Sequence, residues 1–241
     1  DYRHIVLAPC DLKEAVRLIQ YAFHLADSWR NPVMFMGDYY LAHVQEAVDT
    51  GLIDFGPLEA KDWALDGSSS GHGSAKIVSP IMPTKRDAPH PILYGEYLGM
   101  IADRQAVIAE GVEAIAETGH AEGAELIMVA YGTPGRIVRY VVRKLREEGY
   151  PVGFVRPITL WPFPAEILRE ACRDARAIAV HELNSGQMVE DVSLAVRHLP
   201  VFKTGGVSMD ESGFGIAPDL TPTIVREPIL KTLANIQEQA A

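Results

Sequence analysis

Residues 126–136 read Leu126-Ile127-Met128-Val129-Ala130-Tyr131-Gly132-Thr133-Pro134-Gly135-Arg136, an unbroken apolar run that ends in a turn of small and kinked residues before a helical pattern begins. An apolar run of this length without alternation fits a strand covered on both faces in a parallel sheet. The turn has two readings. Thr133 as N-cap with Pro134 at the first helical position would make it a tight strand-to-helix connection. The two glycines would equally let an anion approach the N–H groups of the new helix. It is neither a P-loop, since no Lys-Ser/Thr pair follows, nor G-x-G-x-x-G.

The alternation continues downstream, with a helix over 136–148, strand Val152-Gly153-Phe154-Val155 and a helix over 164–173. Strand Ala177-Ile178-Ala179-Val180, a helix over 187–197 and strand Val201-Phe202 complete it. Strands alternating with helices of this size predict an α/β fold with a parallel, doubly covered sheet and right-handed crossovers. We assign 124–206 to this domain. Upstream, 4–8 predicts a strand, and Asp11 an N-cap. Ala15, Leu18, Ile19, Ala22, Phe23 and Ala26 then mark an amphipathic helix. Asn31-Pro32 ends it, strand Val33-Met34-Phe35-Met36 follows, and a helix is expected over 41–48. Periodicity is lost from 51 to about 91, with a Gly/Ser tract at 67–74, and a helix is expected from about 98 to 117. After Gly205-Gly206 a loop leads to a last helix over about 222–239.

Composition narrows the function classes. The 241 residues are 48% hydrophobic and 22% charged, with 32 acidic against 22 basic side chains, which disfavours a phosphate-backbone surface and therefore nucleic acid. Cys10 and Cys172 are the two cysteines, too few for a disulfide scaffold or a cysteine-ligated cluster in this chain. No apolar run reaches the ~18–20 residues of a membrane span, and Asp1-Tyr2-Arg3-His4 lacks a signal-peptide layout. A cytoplasmic protein without a membrane partner is expected. A strand almost at residue 1, with no initiating Met, suggests a piece of something longer.

The candidate chemistry lies at strand ends. Gly37-Asp38 resembles half of a Gly-Asp-Gly metal-diphosphate opening. Position 39 is Tyr, however, and no Asn lies between Asn31 and Asn184, so a polar strand end at a domain surface is the simpler reading. The segment 156–164, Arg156-Pro157-Ile158-Thr159-Leu160-Trp161-Pro162-Phe163-Pro164, reads as a rigid loop built to pack against this chain or another. His181-Glu182-Leu183-Asn184-Ser185-Gly186-Gln187 closes a strand where open α/β sheets place their sites. There Glu182 is a candidate general base and His181 an acid or ligand. In the plainer alternative Asn184 and Ser185 cap the next helix while Glu182 holds a loop. The histidines lack the spacing of a helical metal site. No metal site or catalytic residue is assigned. Asp38, Tyr40, Gly132, Thr133, Arg136, Arg156, Trp161, Glu182, Asn184 and Gln187 are the candidate interface or site-edge residues. Arg136, the 156–164 segment and the 182–187 turn are expected to cluster at one sheet edge.

Several strings taken together resemble the alpha subunit of the 2-oxoacid:ferredoxin oxidoreductases, the 2-oxoisovalerate and 2-oxoglutarate members in particular. They are I-V-L-A-P-C-D-L-K-E-A-V (5–16), A-F-H-L-A-D-S-W-R-N-P-V (22–33), K-D-W-A-L-D-G (61–67), V-A-Y-G-T (129–133), V-G-F-V-R-P-I-T-L-W-P-F-P (152–164) and E-L-N-S-G-Q-M-V-E-D-V (182–192). The resemblance implies that 1–50 is the end of a thiamine diphosphate pyrimidine-binding α/β domain and 51–123 a connector with a helix. It further implies that 124–206 is a transketolase C-terminal-like domain and 207–241 a loop and helix.

In the family thiamine diphosphate, Mg and iron–sulfur clusters serve a complex of alpha, beta, gamma and delta subunits that uses CoA and ferredoxin. The metal-diphosphate motif belongs to the beta subunit and the clusters to partner chains. The glutamate that activates thiamine would lie upstream of residue 1. No cofactor is therefore expected in this chain alone, which should be an inactive scaffold and subunit interface. Tyr39 in place of the family's Gly, and the 84–95 stretch, depart from the pattern and leave substrate preference open. Alternatives are a subunit of a transketolase-like or branched-chain 2-oxoacid dehydrogenase, and a stand-alone α/β anion-binding module.

Overall fold

The computed structural model describes residues 3–61, 94–206 and 220–238. The expected tract at 67–74, the 84–93 stretch and the loop at 207–219 lie outside the described residues. Two sheets form the framework. In the smaller, β1 (Ile5–Leu7) pairs in parallel with β2 (Val33–Phe35) through the crossover helix α1 (Leu12–Trp29). Asp11 caps α1, its Oδ1 accepting from Glu14 N at 2.9 Å. Leu18, Ala22 and Leu25 then face Ile5 and Leu7 at helical spacing. Gly37-Asp38 leads into α2 (Tyr39–His43), shorter than the expected 41–48 helix because Val44 is already extended, at ψ 145°. From there the chain lies across α1, where the Gln20 amide bonds Gly51 O and Ile53 N at 3.2 and 3.0 Å.

Helix α3 (Tyr94–Gly111) packs Ile108, with Val112 just beyond its end, into the same small core. Gly111 meets Trp29 so closely that a Cβ there would overlap the indole. The helix expected to reach 117 stops at Gly111, because 116–119 are taken up as the strand β3 (Ala116–Gly119). This strand was not foreseen. Its neighbour Ile115 is fixed by Thr159, whose Oγ1 accepts from Ile115 N at 2.7 Å.

The larger sheet has the order β3-β5-β4-β7-β8, with β4 (Leu126–Val129), β5 (Val152–Pro157), β7 (Ala177–Glu182) and β8 (Val201–Gly205) parallel and β3 antiparallel to β5. Strand β4 is buried on both sides. Leu126 and Met128 meet Val138, Val142 and Leu145 of α4 (Gly132–Glu147) and Val225, Ile229 and Leu233 of α7 (Pro222–Glu238). Ile127 and Val129 meet Leu168 of α5 (Ala165–Ala171) and Val192 of α6 (Met188–Ala195) on the other face. Among the described residues no helix is long and apolar enough to cross a membrane.

The 156–164 segment is not a loop. Strand β5 runs to Pro157, and β6 (Thr159–Trp161) pairs antiparallel with β1 of the smaller sheet, Val6 opposite Trp161 and Leu7 opposite Thr159. The segment thus packs on this chain and stitches the two sheets together. Beside the crossing, Arg156 is 4% exposed. Its Nη1 and Nη2 each donate to Glu14 at 2.9 Å, and its Nε donates to Glu117 at 2.8 Å. Burial works against ionisation of Glu117, yet hydrogen bonds from Arg156 and Arg139 hold its pKa below the usual carboxylate value.

Removing one partner of a buried ion pair strands the others, so Arg156→Leu should cost about 3–5 kcal/mol in urea unfolding at neutral pH. Glu117's depressed pKa contributes stability above its unfolded value and loses it as pH falls through the folded one. The gap between parent and variant should accordingly narrow on acidification. A gap that stays constant to low pH would point to lost packing instead.

Candidate functional site

The carboxyl ends of β4 and β7 lie side by side. Beyond β4 the chain reaches Tyr131, and Gly132 at φ 59° turns it into α4. Few residues other than glycine adopt that conformation. Thr133 is not the N-cap. Position 131 is, with no side-chain cap of its own, and Thr133 instead joins Asp38 of the first module. Thr133 N donates to Asp38 Oδ2 at 3.2 Å and Thr133 Oγ1 to Oδ1 at 3.0 Å, while Leu41 N donates to Oδ1 at 2.9 Å. One carboxylate thus caps α2 and fills the N-terminus of α4. Gly135 has a packing cause: a Cβ there would lie 2.8 Å from Ala130 O and from Arg156 Cγ and Cδ.

Across the crevice Glu182 is 1% exposed and accepts backbone N–H groups of Gln187, Met188 and Val189 at 3.2, 3.0 and 3.2 Å. It caps α6. Asn184 Oδ1 accepts from Gly186 N at 2.8 Å and Gln187 N at 3.4 Å, and its Nδ2 donates to Tyr131 Oη at 3.3 Å. Burial, then the nearby Glu182 charge, raise the Tyr131 pKa. His181 lies buried beside Thr204, and burial lowers its pKa despite the opposing pull of Glu182.

A cavity of about 210 Å³ brings together Met36, Asp38, Tyr131, Gly132, Pro134, His181, Glu182, Leu183 and Asn184. A second, of about 330 Å³, is lined by Cys10, Tyr39, Tyr40, Leu41, Thr133 and Arg136 among others. The expected single cluster therefore divides. Asp38, Gly132, Thr133, Glu182 and Asn184 converge, and Tyr40 and Arg136 border the neighbouring cavity. Gln187 contributes its backbone while its side chain is exposed. Arg156 is walled in by Glu14 and Glu117, and Trp161 packs into the small sheet's core. Glu14 and Tyr131 were missed. Glu14 was signalled by its capping-box spacing from Asp11, and by an arginine at the end of an otherwise apolar strand that needed a buried partner. Both thiols are buried, which pushes Cys10, despite Arg156, and Cys172 up to about 12. Neither is a ready nucleophile.

The small mixed sheet followed by a doubly covered, mainly parallel sheet defines the class. The fold is α/β with a transketolase C-terminal-like domain. A 2-oxoglutarate:ferredoxin oxidoreductase from Magnetococcus marinus superposes over 95% of this chain and 42% of its own, with TM-score 0.68 and 17% identity. A split-gene transketolase, described as an inactive beta4 tetramer, covers 96% of this chain and 57% of its own at TM-score 0.51 and 16% identity. Residues 124–210 match the pyruvate:ferredoxin oxidoreductase core domain II family. The ketoisovalerate oxidoreductase subunit VorB of Methanothermobacter thermautotrophicus is 36% identical over 197 residues, 81% of this chain and 53% of that protein. The 2-oxoglutarate synthase subunit KorA of Methanocaldococcus jannaschii is 30% identical over 207 residues, 80% and 56% respectively. Over most of its length the chain is similar to 2-oxoacid:ferredoxin oxidoreductase subunits, and it spans about half the length of the curated relatives it matches.

Thiamine diphosphate, the cofactor such enzymes imply, does not fit the described residues by themselves. Both carboxylates at the crevice are committed to capping the chain's own helices. No group of three or more His, Cys, Asp or Glu among the described residues is placed to hold a metal ion.

The Asp38–Thr133 contact joins the modules and is separable from the α2 cap. In a double-mutant cycle Asp38→Ala and Thr133→Val should show coupling of about 1 kcal/mol in urea unfolding. Additive effects would mean that the modules do not communicate through this bond.

Proposed function

We propose that this chain serves as scaffold and subunit contact in the alpha subunit of an enzyme that oxidatively decarboxylates a 2-oxoacid to an acyl-CoA and passes electrons to ferredoxin. The observation that carries this reading is the span of the similarity. It runs over about 80% of the chain in both the ketoisovalerate and the 2-oxoglutarate relatives, reaching beyond the 124–210 domain match alone. Residues 1–50 are then the end of the pyrimidine-binding domain. Thiamine diphosphate and Mg are held with the beta subunit, and iron–sulfur clusters sit on partner chains, gamma and delta subunits among them. The assembly is cytoplasmic. Asp38 and Glu182 suit this division of labour, since both stabilise helix ends.

The test is to express the 241-residue chain alone, and to assemble a complex from the whole alpha subunit and its partner subunits. Acyl-CoA formation and viologen reduction are then followed with 2-oxoisovalerate and with 2-oxoglutarate. The complex should turn over only with both CoA and thiamine diphosphate, and the chain alone should not. Acyl transfer to a lipoyl carrier in place of CoA would assign the protein to the dehydrogenase class instead.

A further inference from the structure

Helix α4 carries a charge pattern at odds with the acidic composition of the chain. Residues 136–146 hold five basic side chains and no Asp or Glu, although the formal net charge of the whole is −10. Val138, Val141, Val142 and Leu145 turn inward onto the sheet, so Arg136, Tyr140 and Arg143 form the outward line of the helix. All three are exposed.

The flanking cations are answered within the chain. Arg139 Nη1 donates to both oxygens of Glu117 at 3.1 Å, Lys144 pairs with Glu147 at 2.7 Å, and Arg146 Nη2 donates to Glu122 O at 2.9 Å. Arg136 and Arg143 form no ion pair among the described residues. The Arg143 guanidinium lies over the Tyr140 ring, 5.6 Å from its centroid, a contact that orients the group and leaves its charge unneutralised. Arg136 opens onto the cavity of about 330 Å³, where it meets Tyr39, Leu41 and Val44. That volume is at the small end of ligand pockets and suits one large side chain better than a coenzyme. The two arginines stand two turns apart, about 10 Å along the helix axis, with Tyr140 between them. One small anion does not engage both while Arg143 rests on Tyr140, whereas carboxylates spaced along a polypeptide do. A nucleic-acid backbone would meet the repulsion of the acidic chain as a whole.

We infer that the outward face of α4 docks an acidic segment of a partner protein, which seats one aromatic side chain in the cavity beside Arg136 and lays carboxylates along Arg136 and Arg143. Arginine and tyrosine are the residues that protein interfaces favour, and charge complementarity along the helix fixes the direction of the segment, anchor first at the start of α4.

The test titrates the 241-residue chain into a fluorescein-labelled peptide of one phenylalanine followed by four glutamates, read by fluorescence anisotropy at low ionic strength. Binding should saturate and weaken as salt is added. Arg136→Gln and Arg143→Gln, both at exposed positions, should each weaken it about fivefold. Replacing the peptide's phenylalanine by alanine, or filling the cavity by Val44→Trp, should weaken it about tenfold. Lys231→Gln, which removes an exposed cation on α7, should leave the affinity unchanged. Absence of saturable binding would overturn the proposal, as would equal affinity for a peptide with glutamines in place of the glutamates. A loss with Lys231→Gln as large as with Arg136→Gln would reduce the effect to overall charge and sink the site. Indifference to the alanine peptide would do the same for the anchor. Displacement of the peptide by inorganic phosphate at matched ionic strength would assign the arginines to a small anion instead.

Discussion

The buried guanidinium of Arg156 sets the geometry on which the rest of the molecule depends. A charge taken out of water this completely persists only when it is paired and hydrogen-bonded, and here Glu14 and Glu117 accept three bonds from the guanidinium. Glu14 is three residues beyond the N-cap of α1, and its other duty is to accept Cys10 N at 2.8 Å. The ion pair therefore holds the first turn of α1 against β5. Because β5 passes directly into β6 and so into the smaller sheet, backbone and charge fix the two sheets at the same point. Gly135 belongs to this arrangement, since any side chain there would collide with the arginine's own stem.

With α1 and β5 fixed, Asp38 arrives at the start of α4. A helix N-terminus concentrates unpaired N–H groups and partial positive charge, and a carboxylate from elsewhere in the chain satisfies both needs. Glu182 does the same for α6. The glycine-bearing turn at 132–135 looks like an anion site in the sequence, but in the fold an internal anion already sits at its donors. Local sequence could not reveal this, because Asp38 and Thr133 are far apart in the chain and meet only in the folded molecule.

The parts of the fold legible from sequence are those governed by burial. Strands β4 and β7 are apolar on both faces, and α1 repeats its apolar positions at helical spacing, so each announces itself. Strand β3 does not. Ala116-Glu117-Thr118-Gly119 is an edge strand with neither alternation nor an apolar run. It is defined by backbone pairing with β5, by Arg156 reaching Glu117, and by Gly119 making room for the Phe154 ring. The 156–164 segment was misread for a related reason. Its prolines suggest a loop, while Thr159 and Trp161 are placed by β1, which lies far away in the chain. At the site the residue types were legible and their duties were not, since a carboxylate that caps a helix and one that takes a proton look alike in a sequence.

That difference of duty bears on catalysis. A general base must offer a free oxygen within reach of the substrate proton. Both Oδ atoms of Asp38 and both Oε atoms of Glu182 are already accepting hydrogen bonds. Each of these bonds is charge-assisted and closes a helix end. The acidic residues at the crevice are spent on closing helix ends and on joining the chain connections of the two sheets, so their place in the molecule is structural.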